Sequence, residues 1–198
     1  MTKIPFVGLH AHSGLSLNDG LGYPQDHMDF AYENGADALA LTDHGHMNGL
    51  PYQVLHARKM KAEGKNFKPI FGVEAYFNPS LEQWRIEYEK AKQEKKKGIK
   101  NDIELSIENE KASKQKVVDI LKKRNHLILI AQNQTGLNNI FKLVSESYKD
   151  ENFYRYPRID YELLDLYSDG VIAASACLGG VYAGDYWDYR DLGSDAIL

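Results

Sequence analysis

Residues 38–46 read Ala38-Leu39-Ala40-Leu41-Thr42-Asp43-His44-Gly45-His46. Four consecutive apolar residues of this kind predict a short strand buried on both faces, as in a parallel sheet covered by helices. The polar run follows at the strand's carboxyl end, where α/β folds collect the side chains that meet ligands.

The same rhythm extends outward on both sides. Phe6 to His12 reads as a strand, followed by a polar loop through Asn18-Asp19-Gly20. Pro24 then opens a helix whose apolar surface is Met28, Phe30, Ala31 and Tyr32, and Gly35 closes it. A second helix is predicted from about Leu50 to Glu63, stopped by Gly64, and Lys68 to Phe77 is a third strand with Glu74 near its end. After Pro79 the pattern breaks. Residues 80–97 and 102–124 predict two helices rich in lysine and glutamate, joined at Gly98, with Trp84, Ile86 and Tyr88 on the first and Val117, Val118, Ile120 and Leu121 on the second. A strand from His126 to Ala131, a helix from Gly136 to about Lys149 and an aromatic, basic loop from Phe153 to Arg158 come next. A short helix around Tyr161–Leu166 leads to the strand Gly170–Ala174 and to Ser175-Ala176-Cys177-Leu178-Gly179-Gly180, after which a last helix begins.

Five strands separated by helices predict a parallel α/β architecture, either an open sheet or a βα barrel. His12, His44, Glu74 and Cys177 fall at or past the carboxyl ends of different strands, which is how barrels assemble sites, whereas open sheets concentrate theirs at one switch point. Neither a Gly-x-Gly-x-x-Gly nor a Walker-type loop is present. The barrel is therefore favoured. Eight βα units take about 250 residues; the chain has 198, of which roughly 40 lie in the charged segment. The expectation is one domain over 1–198 with a helical insertion at about 80–124, short of its final βα units and continued in a longer protein.

Composition bounds the setting. With 43% hydrophobic and 26% charged residues the chain is ordinary for a soluble globular protein. Cys177 is its only cysteine, so no internal disulfide framework exists and a cytoplasmic location is expected. No signal-peptide or membrane-spanning pattern is visible. The net charge of −4 divides unevenly: residues 82–124 carry a local +4 and the remainder −8. An acidic body beside a basic insert suits a cation-binding core next to an arm able to touch phosphates.

His10 and His12 alternate along their strand and so share a face, a natural pair of metal ligands. Asp19, Asp43, His44, His46, Glu74, His126 and Cys177 add donors that bind divalent ions: imidazole and thiolate suit zinc, and carboxylates suit manganese or magnesium. So many histidines and carboxylates with one thiolate point to a multinuclear hydrolytic centre, whose ions clamp attacking and leaving oxygens of a phosphoryl group. Each residue also has a plainer reading. Asp19-Gly20 serves equally as a turn, Asp43 as a cap or as an orienting partner of a ligand, and His46 as a loop residue behind the ligands. His126 opens its strand, so topology alone does not bring it to the site. Cys177 reads equally as a small buried hydrophobe, and His27 and His56 as surface or packing residues within helices.

Leu9-His10-Ala11-His12-Ser13 with Asp19-Gly20, Leu41-Thr42-Asp43-His44-Gly45, and Phe71-Gly72-Val73-Glu74-Ala75-Tyr76 resemble the polymerase-and-histidinol-phosphatase (PHP) family. His126-Leu127-Ile128-Leu129-Ile130-Ala131-Gln132-Asn133 and Ser175–Gly180 are similar to the branch that opens the alpha subunit of bacterial DNA polymerase III. The resemblance spans nearly the whole chain apart from residues 80–124. It implies a distorted (βα)7 TIM-like barrel, incomplete here at the C-terminus, with a trinuclear zinc or manganese (or magnesium) cluster. His10, His12, Asp19, His44, Glu74, His126 and Cys177 match seven of nine family ligand positions; the remaining Asp-x-His has no counterpart. The implied activity is a 3′→5′ exonuclease proofreading for a replicative polymerase, with His10, His12, Asp19, His44 and Glu74 catalytic. Its implied partners are the primer 3′ end of DNA, the rest of the polymerase chain and replisome subunits, with no membrane. Alternatives in the same family are a catalytically silent scaffold and a stand-alone phosphatase of the histidinol-phosphate type. Tyr154, Arg155, Tyr156 and Arg158 are candidate DNA contacts by charge and stacking; the lysines at 90–100 read first as a solvated helix face.

Overall fold

A computed structural model of the chain describes residues 6–16, 19–101 and 124–189. Its centre is the ten-residue strand β2 (Lys68–Phe77), preceded by α1 (Pro24–Glu33), β1 (Ala38–Leu41) and α2 (Leu50–Ala62). After it come α3 (Leu81–Asn101), β3 (Asn125–Ala131), α4 (Gln134–Ser147), β4 (Phe153–Tyr154), β5 (Tyr156–Ile159), α5 (Tyr161–Tyr167), β6 (Val171–Ala174) and α6 (Val181–Tyr189).

Local chemistry sets these boundaries. Pro24 sits at the start of α1, where no amide donor is needed, and Asp26 accepts from the Tyr23 amide at 2.8 Å in the first turn. Asn133 caps α4 by accepting from the Gly136 amide at 2.9 Å. The buried Asp160 caps two helices at once: it accepts from Leu163 in α5 and, 79 residues away in sequence, from Leu81 in α3, each at 3.0 Å.

β2 divides the molecule by simple alternation. Val73, Ala75 and Phe77 point to one side, where they pack with Leu129, Ile159 and the α4 residues Ile140 and Leu143 in the main core. Gly72, Glu74 and Tyr76 point to the other. A second cluster, Met28, Met60 and Phe67, joins α1 to α2 beside the start of β2.

The strands form a mixed α/β sheet in order β4-β5-β2-β3-β6, with β1 alongside the first half of β2. β1 is parallel to β2, as expected, and so is the unexpected strand β5, but β3 is antiparallel to β2, and β6 is antiparallel to β3. This corrects the all-parallel reading. The chain leaves β2 at Phe77 and re-enters the sheet at Asn125, directly opposite Phe77. The charged segment thus departs from and returns to one end of the sheet, and a chain that re-enters where it left must run backwards.

The N-terminal segment also differs from expectation. Only Gly8 bridges to β1, at Leu39, and Phe6–His12 is not a regular strand. The amides of Ala40 and Thr42, two residues apart, donate to the carbonyls of Gly8 and Ala11, three apart. The extra residue is a bulge, which re-aims side chains at sheet edges. Two further corrections follow. α3 continues through Gly98 to Asn101, while the second predicted helix falls mostly on residues 102–123, outside the described residues. The aromatic loop is a tight hairpin, β4–β5, turning at Arg155 with φ 59°. Among the described residues the sheet does not close on itself, and the barrel is incomplete.

Leu129 is fully buried at the centre of the main core. Leu129→Ala is expected to lower stability by about 2–5 kcal/mol through lost burial and a residual cavity. Urea denaturation followed by circular dichroism measures it; an unchanged midpoint would show that β3 does not pack as described.

Candidate metal centre

Glu74 is completely buried on the inner side of β2, and imidazoles converge on it from three directions. Oε2 lies 2.9 Å from Nε2 of both His10 and His12 and 3.4 Å from Nδ1 of His44. Oε1 lies 2.9 Å from Nδ1 of His126. His44 in turn meets Asp19, with 2.6 Å between Nε2 and Oδ2. Cys177 completes the ring, its Sγ 3.5 Å from His126 Nδ1 and 3.8 Å from Glu74 Oε1.

The sheet topology explains each arrival. The bulge before Ser13 turns His10 and His12 toward Glu74, bringing their Nε2 atoms within 3.1 Å. His44 follows β1 and bridges to Glu74 through the backbone as well. His126 is the second residue of the reversed strand β3: because β3 is antiparallel, its amino end pairs with Tyr76 at the carboxyl end of β2. The obstacle raised by a parallel reading therefore disappears. Cys177 is exposed, not a buried hydrophobe. It lies in a loop wrapped onto His126, whose amide donates to the Gly179 carbonyl at 2.7 Å. A side chain at Gly180 would run into the Ser175 carbonyl, so the loop needs glycine there. Gly20 does the same for Asp19: a Cβ would strike the Ser13 carbonyl. Asp19-Gly20 is a turn and also brings a carboxylate to His44.

Burial by itself would push the Glu74 carboxyl up, but hydrogen bonds from His12, His126 and His10 and the charge of His44 hold it well below the usual carboxylate range. The reciprocal effect raises His12, chiefly through its hydrogen bond to Glu74. His44 is shifted the other way because burial disfavours its charged form. Burial also pushes the Tyr76 phenol up to about 12.

Other expected residues serve around the cluster. Asp43 touches no ligand side chain; its carboxylate accepts the Ser13 amide at 2.7 Å and the Ser13 hydroxyl at 2.8 Å, pinning the residue after His12. His46 is a loop residue that meets the Leu15 carbonyl at 3.2 Å. His56 pairs with Asp29 at 2.8 Å and ties α2 to α1, and His27 meets the Leu21 carbonyl. Of the candidate DNA contacts, Tyr156 lies beside the centre, its ring 4.9 Å from that of Tyr76. Tyr154 leans on Tyr88 of α3 with Arg155 over its own ring. Arg158 corrects its expected role as a DNA contact: it is fully buried, donates to the Tyr154 and Tyr156 carbonyls and lies 4.6 Å from the Trp84 ring. Burial, aided by repulsion from Arg124, brings its pKa down to about 10.

Ser13, Ser16 and Tyr76 were not foreseen. Ser16 Oγ accepts the His44 amide at 3.1 Å, and the Tyr76 ring stacks on the His44 imidazole at 5.4 Å and 5°. Tyr76 had one legible signal, its position two residues past Glu74 on the same strand face.

The donor set fits divalent ions. Three groups lie side by side, His10–His12–Glu74, His12–Asp19–His44 and His44–Glu74–His126, with the donor atoms of each group within 4.8 Å of one another. Nitrogen and oxygen ligands about 2.0–2.2 Å from a tetrahedral ion stand roughly 3.3–3.6 Å apart, close to the spacings found here. The groups overlap at His12, His44 and Glu74, and of these the Glu74 carboxylate, with two oxygens, is the group able to serve neighbouring ions.

A family model described as the PHP domain matches residues 8–184. The chain is 40% identical over 176 residues to the DNA polymerase III subunit alpha of Aquifex aeolicus, covering 89% of this chain and 12% of that protein. It is 36% identical over 180 residues to that of Borreliella burgdorferi, covering 89% and 12%, and 35% identical over 181 residues to that of Treponema pallidum, covering 91% and 12%. The chain thus spans about an eighth of the length of these relatives. Among solved structures, an amidohydrolase from Chromobacterium violaceum aligns with a TM-score of 0.40 and 16% identity over 71% of this chain and 32% of that one.

Two expectations follow from the geometry. Asp43→Ala releases Ser13 without removing a donor, and should weaken Mn²⁺ or Zn²⁺ binding by about 10–100-fold, as loss of a ligand-orienting partner does; titration calorimetry reads it, and unaltered affinity would show that Ser13 needs no anchor. Metal affinity should also rise with pH. His12 holds its proton above the ordinary imidazole value of 6.5, and a metal ion must displace that proton. Its contribution to metal-free stability runs oppositely: present below pH 6.5 and lost as pH rises through the folded-state value. Calorimetry in buffers of different ionisation enthalpy should show proton release persisting above pH 6.5.

Proposed function

Since the chain belongs to the PHP domain family, matched over residues 8–184, we propose that it is the metal-dependent phosphoesterase domain of a replicative DNA polymerase chain, acting as a 3′→5′ exonuclease in DNA replication. One observation supports this above the others: three adjoining donor groups meet on one buried carboxylate at the end of the sheet. A structural scaffold has no use for a buried carboxylate ringed by imidazoles, since burying such groups is costly without a partner. The similarity to DNA polymerase III alpha chains supports DNA as the substrate and the remainder of such a chain, with replisome subunits, as partners. Among the described residues no helix is long and apolar enough to cross a membrane; a reducing cytoplasm, where Cys177 stays a thiol, is the proposed location.

His10, His12 and Glu74 would hold one part of a metal cluster, and Asp19, His44, His126 and Cys177 would serve the rest. Zinc and manganese are the proposed ions. Bound there, divalent cations supply Lewis-acid polarisation of a phosphodiester and lower the pKa of water. The chain's own groups prepare the site. Glu74 is ionised at neutral pH and gives the centre its negative charge. Asp19 fixes the His44 ring at Nε2, leaving Nδ1 toward Glu74. His44, neutral by burial, offers a lone pair rather than a proton. The Asp43–Ser13 anchor keeps the His10–His12 segment in place with little reorganisation.

The proposed test uses the chain extended by the downstream sequence that relatives carry. Metal analysis should find bound transition metal, and a single strand labelled at its 5′ end should be shortened from its 3′ end in a chelator-sensitive way. His12→Ala should bring this activity to background with the unfolding midpoint little changed. A folded, metal-free and inactive extended chain would sink the enzyme reading and favour the scaffold; hydrolysis of small phosphomonoesters alone would favour the stand-alone phosphatase.

A further inference from the structure

Arg124 lies just before β3, two residues ahead of His126, where the charged insertion rejoins the sheet. Its guanidinium carbon is 3.8 Å from the centre of the Tyr156 ring and 5.2 Å from that of Tyr76. Tyr76 is the same ring that stacks on His44 and meets His126 edge-on at 5.5 Å. The order outward from the cluster is therefore imidazole, phenol, guanidinium. Tyr76 also meets Tyr156 at 4.9 Å, so the two rings form a bent platform under the cation. The antiparallel register places Arg124 beyond the carboxyl end of β2, the end at which Glu74 and Tyr76 stand.

A guanidinium at 3.8 Å from a ring centre lies against the ring face. That packing limits the motion of a planar fork whose geometry matches two oxygens of one phosphate group. A lysine would keep the charge and lose the fork. Arg158, close enough for Arg124 to oppose its ionisation, is itself fully buried and holds carbonyls of the hairpin instead. Tyr76 alone separates the Arg124 cation from the His44 and His126 imidazoles.

We propose that Arg124, braced on Tyr156 and Tyr76, is a phosphate-binding residue beside the metal centre, taking a backbone phosphodiester of single-stranded nucleic acid next to the one to be cleaved. The assignment rests on the phosphoesterase reading for its substrate, but its ligand chemistry is tested without catalysis. Arg124 would set how tightly the strand is held and in what register, leaving the metal donors unaltered.

The test is fluorescence anisotropy of a labelled ten-nucleotide oligothymidylate in EDTA, for the wild-type chain, Arg124→Gln and Arg124→Lys, at several salt concentrations. Arg124→Gln should weaken binding about tenfold, the scale of one charge-assisted contact. It should also flatten the plot of log affinity against log salt by about 0.7, the contribution of one single-strand phosphate. Arg124→Lys should recover most of the salt dependence but only part of the affinity. Thermal midpoints and Mn²⁺ affinities should match the wild type. Equal affinity and salt slope in all three proteins would overturn the proposal, as would failure of the wild type to bind the strand. If no metal-loaded form cleaves DNA while Arg124→Gln still binds it more weakly, the phosphoesterase reading fails and the phosphate site stands. In an active extended chain, Arg124→Gln should raise KM with little change in kcat; a fall in kcat at unchanged KM would also overturn it.

Discussion

A single ionised carboxylate, Glu74, organises this molecule. It is buried without a trace of exposure, and burying such a charge is tolerable only if surrounding groups compensate it. Four imidazoles do so, delivered by three parts of the chain: His10 and His12 by the N-terminal segment, His44 by the turn after β1 and His126 by β3. The bulge in the N-terminal segment, the turn after β1, the reversal of β3 and the folded-over Cys177 loop are all geometries that bring a donor to within reach of one pair of oxygens. The opposite face of the same strand is ordinary hydrocarbon, Val73, Ala75 and Phe77 against α4. The site and the core are thus two sides of one strand.

Around the carboxylate a second layer fixes orientation rather than adding donors. Asp43 holds Ser13, Ser16 holds His44 through its amide, and the glycine pair of the Cys177 loop allows backbone to lie on His126. Of these groups Asp43 also acts through its charge, which helps to raise the pKa of His12. Their effect is to reduce the freedom of the ligands before anything binds, so that affinity is not spent on ordering. The Tyr76 ring extends the same logic outward, joining the cluster to an aromatic and cationic rim.

Much of this was legible in the residues themselves. α1, β1, α2 and β2 follow from apolar periodicity, Pro24 and the helix-ending glycines, and β3 and β6 from short apolar runs; their boundaries fall within a few residues of those expected. That His44 and Glu74 lie together follows from strand-end positions, whereas His10 and His12 arrive on a bulged segment that is not a regular strand. The illegible parts share a cause. A bulge is one residue of mismatch with a neighbouring strand, a strand's direction depends on where the chain re-enters the sheet, and the burial of Arg158 depends on Trp84 arriving from α3. Each is a relation between distant segments, invisible to local pattern.

What the sequence by itself determined is the inventory: alternating strands and helices, a basic insertion between acidic halves, and imidazole, carboxylate and thiolate at strand ends, because periodicity and side-chain chemistry are local properties. Only the tertiary structure decided which of them meet. His126 reaches Glu74 because β3 runs backwards, Asp19 reaches His44 because Gly20 lets its loop lie on Ser13, and Arg158 withdraws into the core while Arg124 takes the rim. Those outcomes depend on register and strand direction, which are set only when the whole sheet forms and every strand's neighbours are chosen together.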